Sequence, residues 1–394
     1  KGRMTKNRRK ICFVSGKRGG FGAMLPTLQA IQKDPALHLD IIVTDMHLTD
    51  EFGNTVKEVN KYFENVTKVH MCLKSDSSEA RALSLGLGLM GITQALERTK
   101  PDILMILGDR GETLMAAVAA TQLNIPIFHV QGGEISGGVD EPVRHAITKL
   151  SHLHLVPDEQ ASLIVRHLGE SDWRVHIVGF TQLDSILEAR YHSADFIRER
   201  YMLDADRKLI IVLQHSVSTE PDNAYDQMRI TMDALEEIGE RSIVIYPCSD
   251  QGHNGIIRAI NEKKDLPFIS IFPNLDHLDF LGLCSVADVI IGNSSSGMNE
   301  APHFNLPFIN IGSRQMGRKK YANCIDVSHD RHEIVNAIKM TLQDPEFRSV
   351  IAASEKPYGD AHACDKILKV IKSIDLNKDL LLKKLDMARI ECSP

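Results

Sequence analysis

One loop of the 394-residue chain combines acids, imidazoles and glycines more densely than core packing explains. It runs from His129 to Glu134 (HVQGGE) and, after one residue, from Ser136 to His145 (SGGVDEPVRH). Clustered carboxylates raise one another's pKa, which favours proton transfer at carbon or oxygen near neutral pH. A metal site is the alternative that the same residue types allow, although no H-E-x-x-H or comparable ligand spacing is present. The loop therefore indicates acid–base chemistry.

A glycine-rich turn follows the first apolar run of the sequence. Residues 15–22 read SGKRGGFG, and we expect a helix to begin near Met24. Glycines let the backbone approach a phosphate, a helix N-terminus attracts an anion, and Arg18 can pair with it. The spacing is not G-x-G-x-x-G, so an ordinary tight turn between strand and helix stays an alternative.

Charged residues also follow two other predicted strands. Asp109 and Arg110 come directly after one of them, where substrates bind or where structural ion pairs form. His215 follows a strand in the second half of the chain. It could titrate near neutral pH, donate to a phosphate, or be an ordinary satisfied polar group.

A run of small hydroxyl residues precedes a predicted helix later in the chain. Residues 292–297 read GNSSSG, and the helix that follows carries Glu300. Ser294 and Ser295 offer donors to a diphosphate, and Glu300 one turn later can accept ribose hydroxyls. An ordinary serine N-cap is the alternative. Arg314 follows the next strand and adds a second cation.

The elements that must position these residues are short Ile- and Val-rich runs that alternate with longer helix-like segments. Runs that are apolar at consecutive positions are typical of parallel strands covered by helices on both faces. The two series predict an α/β fold of two doubly wound domains, residues 1–180 and 181–375, with a tail at 376–394. Because ligands bind at the carboxyl ends of such strands, the two domains should face a central cleft. The predicted strands are Ile11–Val14, Leu39–Thr44, Ile103–Leu107, Ile125–Val130, Leu153–Val156, Val175–Val178, Leu209–Leu213, Ser242–Tyr246, Phe268–Phe272, Val289–Ile291, Phe308–Ile311 and Cys324–Val327.

Bulk composition excludes several classes of protein. The net charge is −6 without a basic patch, and aromatic residues make up 5%, so we expect neither nucleic-acid nor membrane-surface binding. The seven cysteines are scattered and no C-x-x-C pair occurs, which is typical of reduced thiols in a cytoplasmic protein. The basic start of the sequence is not followed by a long apolar run, so we expect neither a signal peptide nor an anchor.

Taken together and in order, the motifs resemble the hydrolysing UDP-N-acetylglucosamine 2-epimerases, the enzymes of sialic- and legionaminic-type acid pathways. The similarity runs from Arg18 to about Ile374 and is strongest in five blocks. These are Gly108–Arg110, Gly132–Glu134, Arg144–Leu150, Gly292–Ser295 and Gly312–Gln315.

The resemblance implies two Rossmann-like domains of the glycosyltransferase-B type that close on a UDP-sugar, in a homodimer or homotetramer. It implies anti elimination of UDP to a 2-acetamidoglucal, then addition of water to give N-acetylmannosamine, with no metal or other cofactor. It matches Arg18, Arg110, His215, Ser294, Ser295, Glu300 and Arg314 to UDP-binding positions, and we expect Arg144 to bind the substrate with them. It matches Asp109, Glu134 and Asp140 to acidic positions near the sugar, and our catalytic candidates are these three together with Gln131 and His215.

Four positions depart from the family's usual pattern. Gly19-Gly20 stands where Ala-Asp is usual, and Gln131 stands where a catalytic glutamate is frequent. Cys248 replaces an expected Asn, and Asn299 an expected Arg. Because a glutamine cannot act as a base, the acid–base work is expected to fall to Asp109, Glu134 or Asp140.

These departures leave other reactions open. One is the same reaction on a UDP-2,4-diacetamido-trideoxy sugar, and another is a non-hydrolysing epimerase that keeps UDP on the sugar. A glycosyltransferase or a regulator that binds UDP-sugars would share the fold. The acidic loop weighs against a glycosyltransferase or a regulator, since a site that only binds an anionic ligand does not favour carboxylates.

Overall fold

Both halves of the chain alternate buried parallel strands with helices. The computed structural model describes residues 8–136, 139–360 and 362–386; residues 1–7 of the basic start, the glycines at 137–138 and Cys392 lie outside the described residues. Every predicted run overlaps a strand. Strand β3 has no predicted counterpart, because its three residues VTK form no apolar run. The strands are β1 Arg9–Ser15, β2 Leu37–Val43, β3 Val66–Lys68, β4 Ile103–Leu107, β5 Ile127–Val130, β6 Leu153–Val156, β7 Val175–Ile177, β8 Leu209–Leu213, β9 Arg241–Ile245, β10 Ile269–Phe272, β11 Val289–Gly292, β12 Phe308–Ile311 and β13 Cys324–Val327.

The strands form two parallel sheets of closely related topology. The first has the order β3-β2-β1-β4-β5-β6-β7, and the second the order β10-β9-β8-β11-β12-β13. Both contain the doubly wound order 3-2-1-4-5-6, in which the direction of winding reverses between the first and fourth strands. The predicted α/β fold with two Rossmann-like domains is therefore confirmed. The switch points lie between β1 and β4 and between β8 and β11, where ligands bind in such sheets.

Helices cover both faces of each sheet, which is why the central strands are apolar at consecutive positions. Ile11 and Cys12 of β1 and Ile210 and Ile211 of β8 are consecutive residues that point to opposite faces, and all four are fully buried. The helices are α1 Arg18–Lys33, α2 Val56–Tyr62, α3 Ser78–Thr99, α4 Gly111–Gln122, α5 Asp140–Leu150, α6 Glu159–His167, α7 Gln182–Leu187, α8 Ala194–Arg200, α9 Ala224–Ile238, α10 His253–Asn261, α11 His277–Val286, α12 Ser296–Asn299, α13 Arg331–Gln343, α14 Pro345–Ala353, α15 Ala363–Ser373 and α16 Lys378–Leu381.

Helix α1 begins six residues earlier than the sequence predicts. Lys17 is still extended, and the helix starts at Arg18 rather than near Met24. Gly19 and Gly20, which the sequence analysis assigns to the turn, form part of the first helical turn. No side chain caps this end of the helix, so its first N–H groups point out without an intrahelical partner.

The last helices return to the first sheet. Helix α15 packs against α1, and its residues Ile367 and Ile371 are fully buried in the same cluster as Ile11 and Leu28. Leu380 of α16 joins that cluster. The division of the chain at residue 180 remains a proposal. The packing of α15 and α16 shows that the core of the first domain contains residues from both halves of the chain.

None of the helices described is long and apolar enough to cross a membrane.

Candidate active site

The carboxyl ends of both sheets line one cleft of about 1430 Å³, including its open mouth. The first sheet contributes the segment after β1 (residues 15–20) and the segment after β4 (residues 107–110). The second contributes His215 after β8 and residues 294–296 after β11. Both switch points thus open into the same space, as the two-domain topology requires.

Most of the residues predicted from sequence lie on the wall of this cleft. Two do not line it: Arg144 is fully buried behind Asp109, and Asp140 lies at the edge, with Oδ2 3.9 Å from Nη2 of Arg314. The predicted residues that line the cleft are Arg18, Asp109, Arg110, Gln131, Glu134, His215, Ser294, Ser295, Glu300 and Arg314.

Arg144 organises the acidic loop from behind. Its Nη2 forms an ion pair with Asp109, and its Nη1 donates to the main-chain oxygen of Glu134 at 2.7 Å and to Ser136 Oγ at 3.0 Å. The guanidinium therefore joins the end of β4 to the loop after β5. We propose that Arg144 positions the carboxylates, in place of the UDP contact expected from the sequence.

The carboxylates of the site titrate differently. Burial opposes ionisation of Asp109, but the adjacent Arg144 and Lys17 outweigh it and lower the pKa of Asp109 to about 2. Burial, with Asp109 and Asp250 nearby, raises the pKa of Asp140 above its usual value. The prediction that clustered carboxylates raise one another's pKa therefore agrees with Asp140 and is wrong for Asp109. The sequence does not show that the Arg144 guanidinium is buried beside Asp109, where it lowers the pKa. Two carboxyl groups pushed in opposite directions are a typical acid–base arrangement.

Three carboxylates, those of Asp250, Glu112 and Asp45, surround the guanidinium of Arg110 on the wall of the cleft. Only 7% of the residue is exposed, and Nη1 donates to Asp250 Oδ1 of the second domain at 2.5 Å. Its Nε lies 3.5 Å from Glu112 Oε1 and its Nη2 lies 3.9 Å from Asp45 Oδ2, within ion-pair range, but neither nitrogen has a hydrogen-bond partner among the described atoms. These two nitrogens therefore keep N–H groups that can donate to phosphate oxygens, while the carboxylates around them offset the charge of the guanidinium.

His215 serves as a neutral donor rather than a titrating group. Burial, together with the nearby Arg314 guanidinium, holds its pKa well below the usual value. Its Nδ1 accepts the backbone N–H of Cys248 at 3.0 Å, which places the ring proton on Nε2. Of the roles open from the sequence, donation to a phosphate is the one this geometry favours.

The hydroxyl-rich segment after β11 bends sharply into α12. Gly292 has φ +126°, where a side chain would collide with the backbone of Leu213. Arg314 Nη1 and Gln315 Nε2 both donate to the carbonyl of Asn293, at 3.2 and 2.7 Å, and hold the turn from the next strand. Burial raises the pKa of Glu300, just after α12, to about 7, and the nearby Glu134 adds to the effect.

Gln131 ties the first domain to the segment that leaves it. Its Nε2 donates to Thr181 Oγ1 at 3.0 Å and to Gln182 Oε1 at 2.7 Å. The backbone at Gln131 has φ +60°, an uncommon value for a residue other than glycine. These bonds give Gln131 a polar structural role, whatever the reaction.

Sequence reasoning missed four residues. Lys17 and Arg318 line the cleft and add positive charge; Lys17 stood inside the SGKRGG turn, and Arg318 in a basic run after Arg314. His277 lines the cleft beside α1, and Tyr358 bonds to Glu134 from the far half of the chain. No sequence signal marked the last two, because each acts through contacts that only the folded chain creates.

Within the described ranges, no group of three or more His, Cys, Asp or Glu residues is arranged to hold a metal ion.

Comparison with known proteins agrees with this architecture. A family model described as UDP-N-acetylglucosamine 2-epimerase matches residues 29–372. Among curated relatives, a UDP-N,N'-diacetylbacillosamine 2-epimerase (hydrolyzing) of Legionella pneumophila is 35% identical over 376 residues, 95% of this chain and 98% of the relative. A GDP/UDP-N,N'-diacetylbacillosamine 2-epimerase (hydrolyzing) of Campylobacter jejuni is 31% identical over 389 residues, 97% of this chain and 100% of the relative. A UDP-N-acetylglucosamine 2-epimerase of Neisseria meningitidis is 33% identical over 341 residues, 86% of this chain and 89% of the relative.

Solved structures support the fold independently. A UDP-GlcNAc 2-epimerase from Neisseria meningitidis bound to UDP-GlcNAc superposes with a TM-score of 0.77 at 18% identity, covering 93% of this chain and 100% of that one. One from Methanocaldococcus jannaschii, in complex with UDP-GlcNAc and UDP, gives 0.75 at 19% identity, covering 92% and 99%. With the family model matched over most of its length and relatives above 30% identity across nearly all of it, the chain belongs to the UDP-N-acetylglucosamine 2-epimerase family.

Proposed function

We propose that this protein is a hydrolysing 2-epimerase, which removes UDP from a UDP-linked 2-acetamido sugar and inverts carbon 2. One observation carries the proposal: a single cleft brings the cations of both domains together with the carboxylates of the first. Arg110 and Arg314 with their neighbours suit a diphosphate, and the acids suit the proton transfers of an elimination.

The reaction has two steps, the elimination of UDP and the addition of water. A base removes the proton from carbon 2 while the bond between carbon 1 and the UDP oxygen breaks, leaving a 2-acetamidoglucal. Water then adds its oxygen to carbon 1, and an acid delivers a proton to the opposite face of carbon 2. Lys17, Arg110 and Arg314 stabilise the charge that develops on the departing diphosphate.

The pKa differences suggest how the carboxylates divide the work. A carboxylate with a pKa of about 2, such as Asp109, is a weak base and is better suited to orient and stabilise charge. Asp140, with its raised pKa, can hold a proton closer to neutral pH and donate it. Glu134, which lines the cleft, is then our candidate for the base at carbon 2.

Two sugars are candidates for the substrate. We place UDP-N,N'-diacetylbacillosamine first, because the relatives at 35 and 31% identity carry that sugar and the word hydrolyzing in their names. UDP-GlcNAc, which the sequence analysis placed first, is supported by the Neisseria relative at 33% identity. The product would be 2,4-diacetamido-2,4,6-trideoxymannose in the first case and N-acetylmannosamine in the second.

A panel of UDP-sugars tests the substrate. We expect UDP release from the diacetamido sugar with a higher kcat/KM than from UDP-GlcNAc, and none from UDP-glucose, which lacks the 2-acetamido group. A preference for UDP-GlcNAc would return the second candidate to first place. A sugar product still joined to UDP would show a non-hydrolysing epimerase instead.

Isotopes test the mechanism separately. In heavy water, carbon 2 of the released sugar should carry deuterium, and in oxygen-18 water the label should enter the sugar and not the UDP phosphates. Retention of the substrate hydrogen at carbon 2 contradicts the elimination, and labelled phosphate identifies a phosphohydrolase. NMR and mass spectrometry read both experiments.

We further propose that the protein acts in the cytoplasm as a homodimer or homotetramer. Helix α3 presents Leu83, Leu87 and Met90 on one exposed stripe, an apolar surface that a second copy would cover. Sedimentation equilibrium should give the mass of two or four chains.

A further inference from the structure

A hydrogen bond joins the acidic loop to the opposite half of the chain. The phenol of Tyr358 donates to Glu134 Oε1 at 2.5 Å, although 224 residues separate the two in sequence. Tyr358 lies between α14 and α15, on the segment that returns from the second domain to the first. The site thus contains a donor that neither sheet supplies from a strand end.

The surroundings fix the position of this tyrosine. Its ring stacks on Phe180, with centroids 4.2 Å apart and planes inclined by 8°, and Phe180 itself lines the cleft. The backbone at Tyr358 has φ +62°, a value that residues other than glycine adopt where neighbouring contacts impose it. A side chain held by a stack and by its own backbone loses little freedom when it makes a further bond.

The segment after Tyr358 is anchored to the stretch of chain that directly follows Phe180. The carboxylate of Asp184, which is 2% exposed, accepts the backbone N–H groups of His362 at 2.8 Å, Ala363 at 3.0 Å and Cys364 at 2.7 Å. Asp184 lies four residues after Phe180, so one short stretch both stacks on the tyrosine and holds the start of α15. Tyr358 is therefore built into the crossing between the domains.

The bond has a direct consequence for Glu134. A phenol that donates to a carboxylate makes a short, charge-assisted hydrogen bond, which fixes the carboxylate's orientation. Burial and the adjacent Glu134 raise the pKa of Tyr358 well above its usual value, so the phenol keeps the proton that it donates. With Oε1 held in this way, Oε2 is the oxygen that can face a substrate in the cleft.

We propose that Tyr358 is a positioning residue for the reaction: its hydroxyl holds Glu134 so that one carboxylate oxygen faces carbon 2 of the bound sugar. The inference rests on the proposed function, in which Glu134 transfers a proton. It also ties that proton transfer to domain arrangement, because the hydroxyl arrives on the segment that connects the domains.

The variant Tyr358→Phe tests this inference, because it keeps the stacked ring and removes only the hydroxyl. We expect kcat to fall about 10- to 100-fold, the order of loss that follows misplacement of a catalytic group. KM and the UDP affinity measured by calorimetry should stay close to those of the wild type, which also shows that the cleft is folded. An unchanged kcat overturns the proposal.

Tyr201→Phe is the matched control. It also removes a phenol that donates to a carboxylate, here Asp279 at 2.6 Å, but neither residue lines the cleft. We expect a lower unfolding midpoint and an unchanged kcat. If both tyrosine variants lower kcat equally, loss of rigidity explains the effect and the positioning role is wrong.

A double-mutant cycle with Glu134→Gln separates positioning from general support. If Tyr358 acts through Glu134, the double variant turns over no more slowly than Glu134→Gln alone. If the fold losses in kcat of the two single variants multiply in the double variant, the proposal is wrong. Normal turnover of Glu134→Gln also overturns it, and that outcome leaves the proposed epimerase activity intact. If the wild type releases no UDP from any UDP-sugar, the proposed function itself has failed.

Discussion

Arg144 shows how one buried guanidinium can assign different tasks to neighbouring acids. It pairs with Asp109 and holds the loop at Glu134, while Asp140 at the edge of the cleft is out of its reach as a hydrogen-bond partner. A carboxylate hydrogen-bonded to a fixed cation stays ionised, whereas Asp140, 3.9 Å from the Arg314 guanidinium and close to other acids, takes up a proton more readily. The chemistry of each acid is thus set by its neighbours rather than by its own type.

Isosteric variants of the three acids measure this division. We expect Glu134→Gln and Asp140→Asn each to lower kcat about 10²- to 10⁴-fold, the range for a positioned general acid or base. Asp109→Asn should also lower kcat, because it leaves the Arg144 charge buried and unpaired. UDP affinity, measured by calorimetry, should survive in the first two. Glu159→Gln, at an exposed position on α6, is the control and should keep normal turnover. Near-normal turnover of all three acid variants would show that the acid–base site lies elsewhere.

Glu300 makes stability depend on pH in a defined window. Its pKa is raised from 4.5 to about 7 in the folded chain, so the folded state binds more protons than the unfolded state between those values. The stabilisation is complete below about pH 4.5 and is lost as the pH rises through 7, amounting to up to about 3 kcal/mol.

The variant Glu300→Gln removes this titration. We expect its free energy of unfolding in urea to exceed that of the wild type at pH 8 and to differ less at pH 5. Glu58, whose pKa burial also raises to about 7, should leave a residual slope. Equal pH dependence in the two proteins would show that Glu300 is not the titrating group.

At the scale of the elements, strands were predictable and their long-range partners were not. Consecutive apolar residues identify β1 or β8 because both faces of each sheet are covered, and strand-end polar residues follow from that geometry. The predicted start of α1 was wrong because Gly19 and Gly20 favour a turn locally, whereas in the folded chain they lie in the first turn of the helix. Tyr358 could not be found, since its role depends on a segment returning across the molecule.

Helix α12 depends on the absence of a side chain at one position. A Cβ atom at Gly297 would overlap the ring of Phe308, which is fully buried in β12. We expect Gly297→Ala to lower the free energy of unfolding by about 1–3 kcal/mol, the usual cost of overpacking, and to weaken UDP binding by displacing Ser294 and Ser295.

Gly86→Ala is the control for this variant. Gly86 lies on α3, where an added Cβ would meet nothing within 4 Å. Alanine there should stabilise the helix by up to about 1 kcal/mol and leave UDP binding unchanged. Urea denaturation and calorimetry check both variants, and a Gly297→Ala protein as stable as the wild type would contradict the packing argument.

At the scale of the whole molecule, the cleft depends on contacts between the domains. Arg18 Nη1 donates to Asn274 Oδ1 at 2.7 Å, and Lys61 pairs with Asp276 at 2.6 Å. The carboxylate of Asp76 accepts the backbone N–H groups of Gly252 and Asn254 at the start of α10, at 3.0 and 3.1 Å. Side-chain contacts between the domains therefore hold the carboxyl ends of the two sheets opposite one another.

A substitution at the contact between α1 and α11 should move the domains apart. A Cβ atom at Gly22 would overlap the imidazole of His277 and lie 2.7 Å from that residue's own Cβ. We expect Gly22→Ala to weaken UDP binding more than it lowers the free energy of unfolding, because each domain can relax separately. Calorimetry checks the affinity, and a UDP affinity equal to that of Gly86→Ala would contradict the expectation.

The packing of α15 and α16 against the first sheet affects the order in which the two domains can fold during synthesis. Leu28 and Ile31 of α1 are synthesised before the second sheet, yet the residues that cover that side of the core, Ile367 and Ile371, are synthesised only after it. Until then the nascent first domain presents an uncovered apolar face while the whole second domain is being made. The second sheet is thus available in full before the core of the first domain can be completed, so we expect the first domain to finish folding after the second.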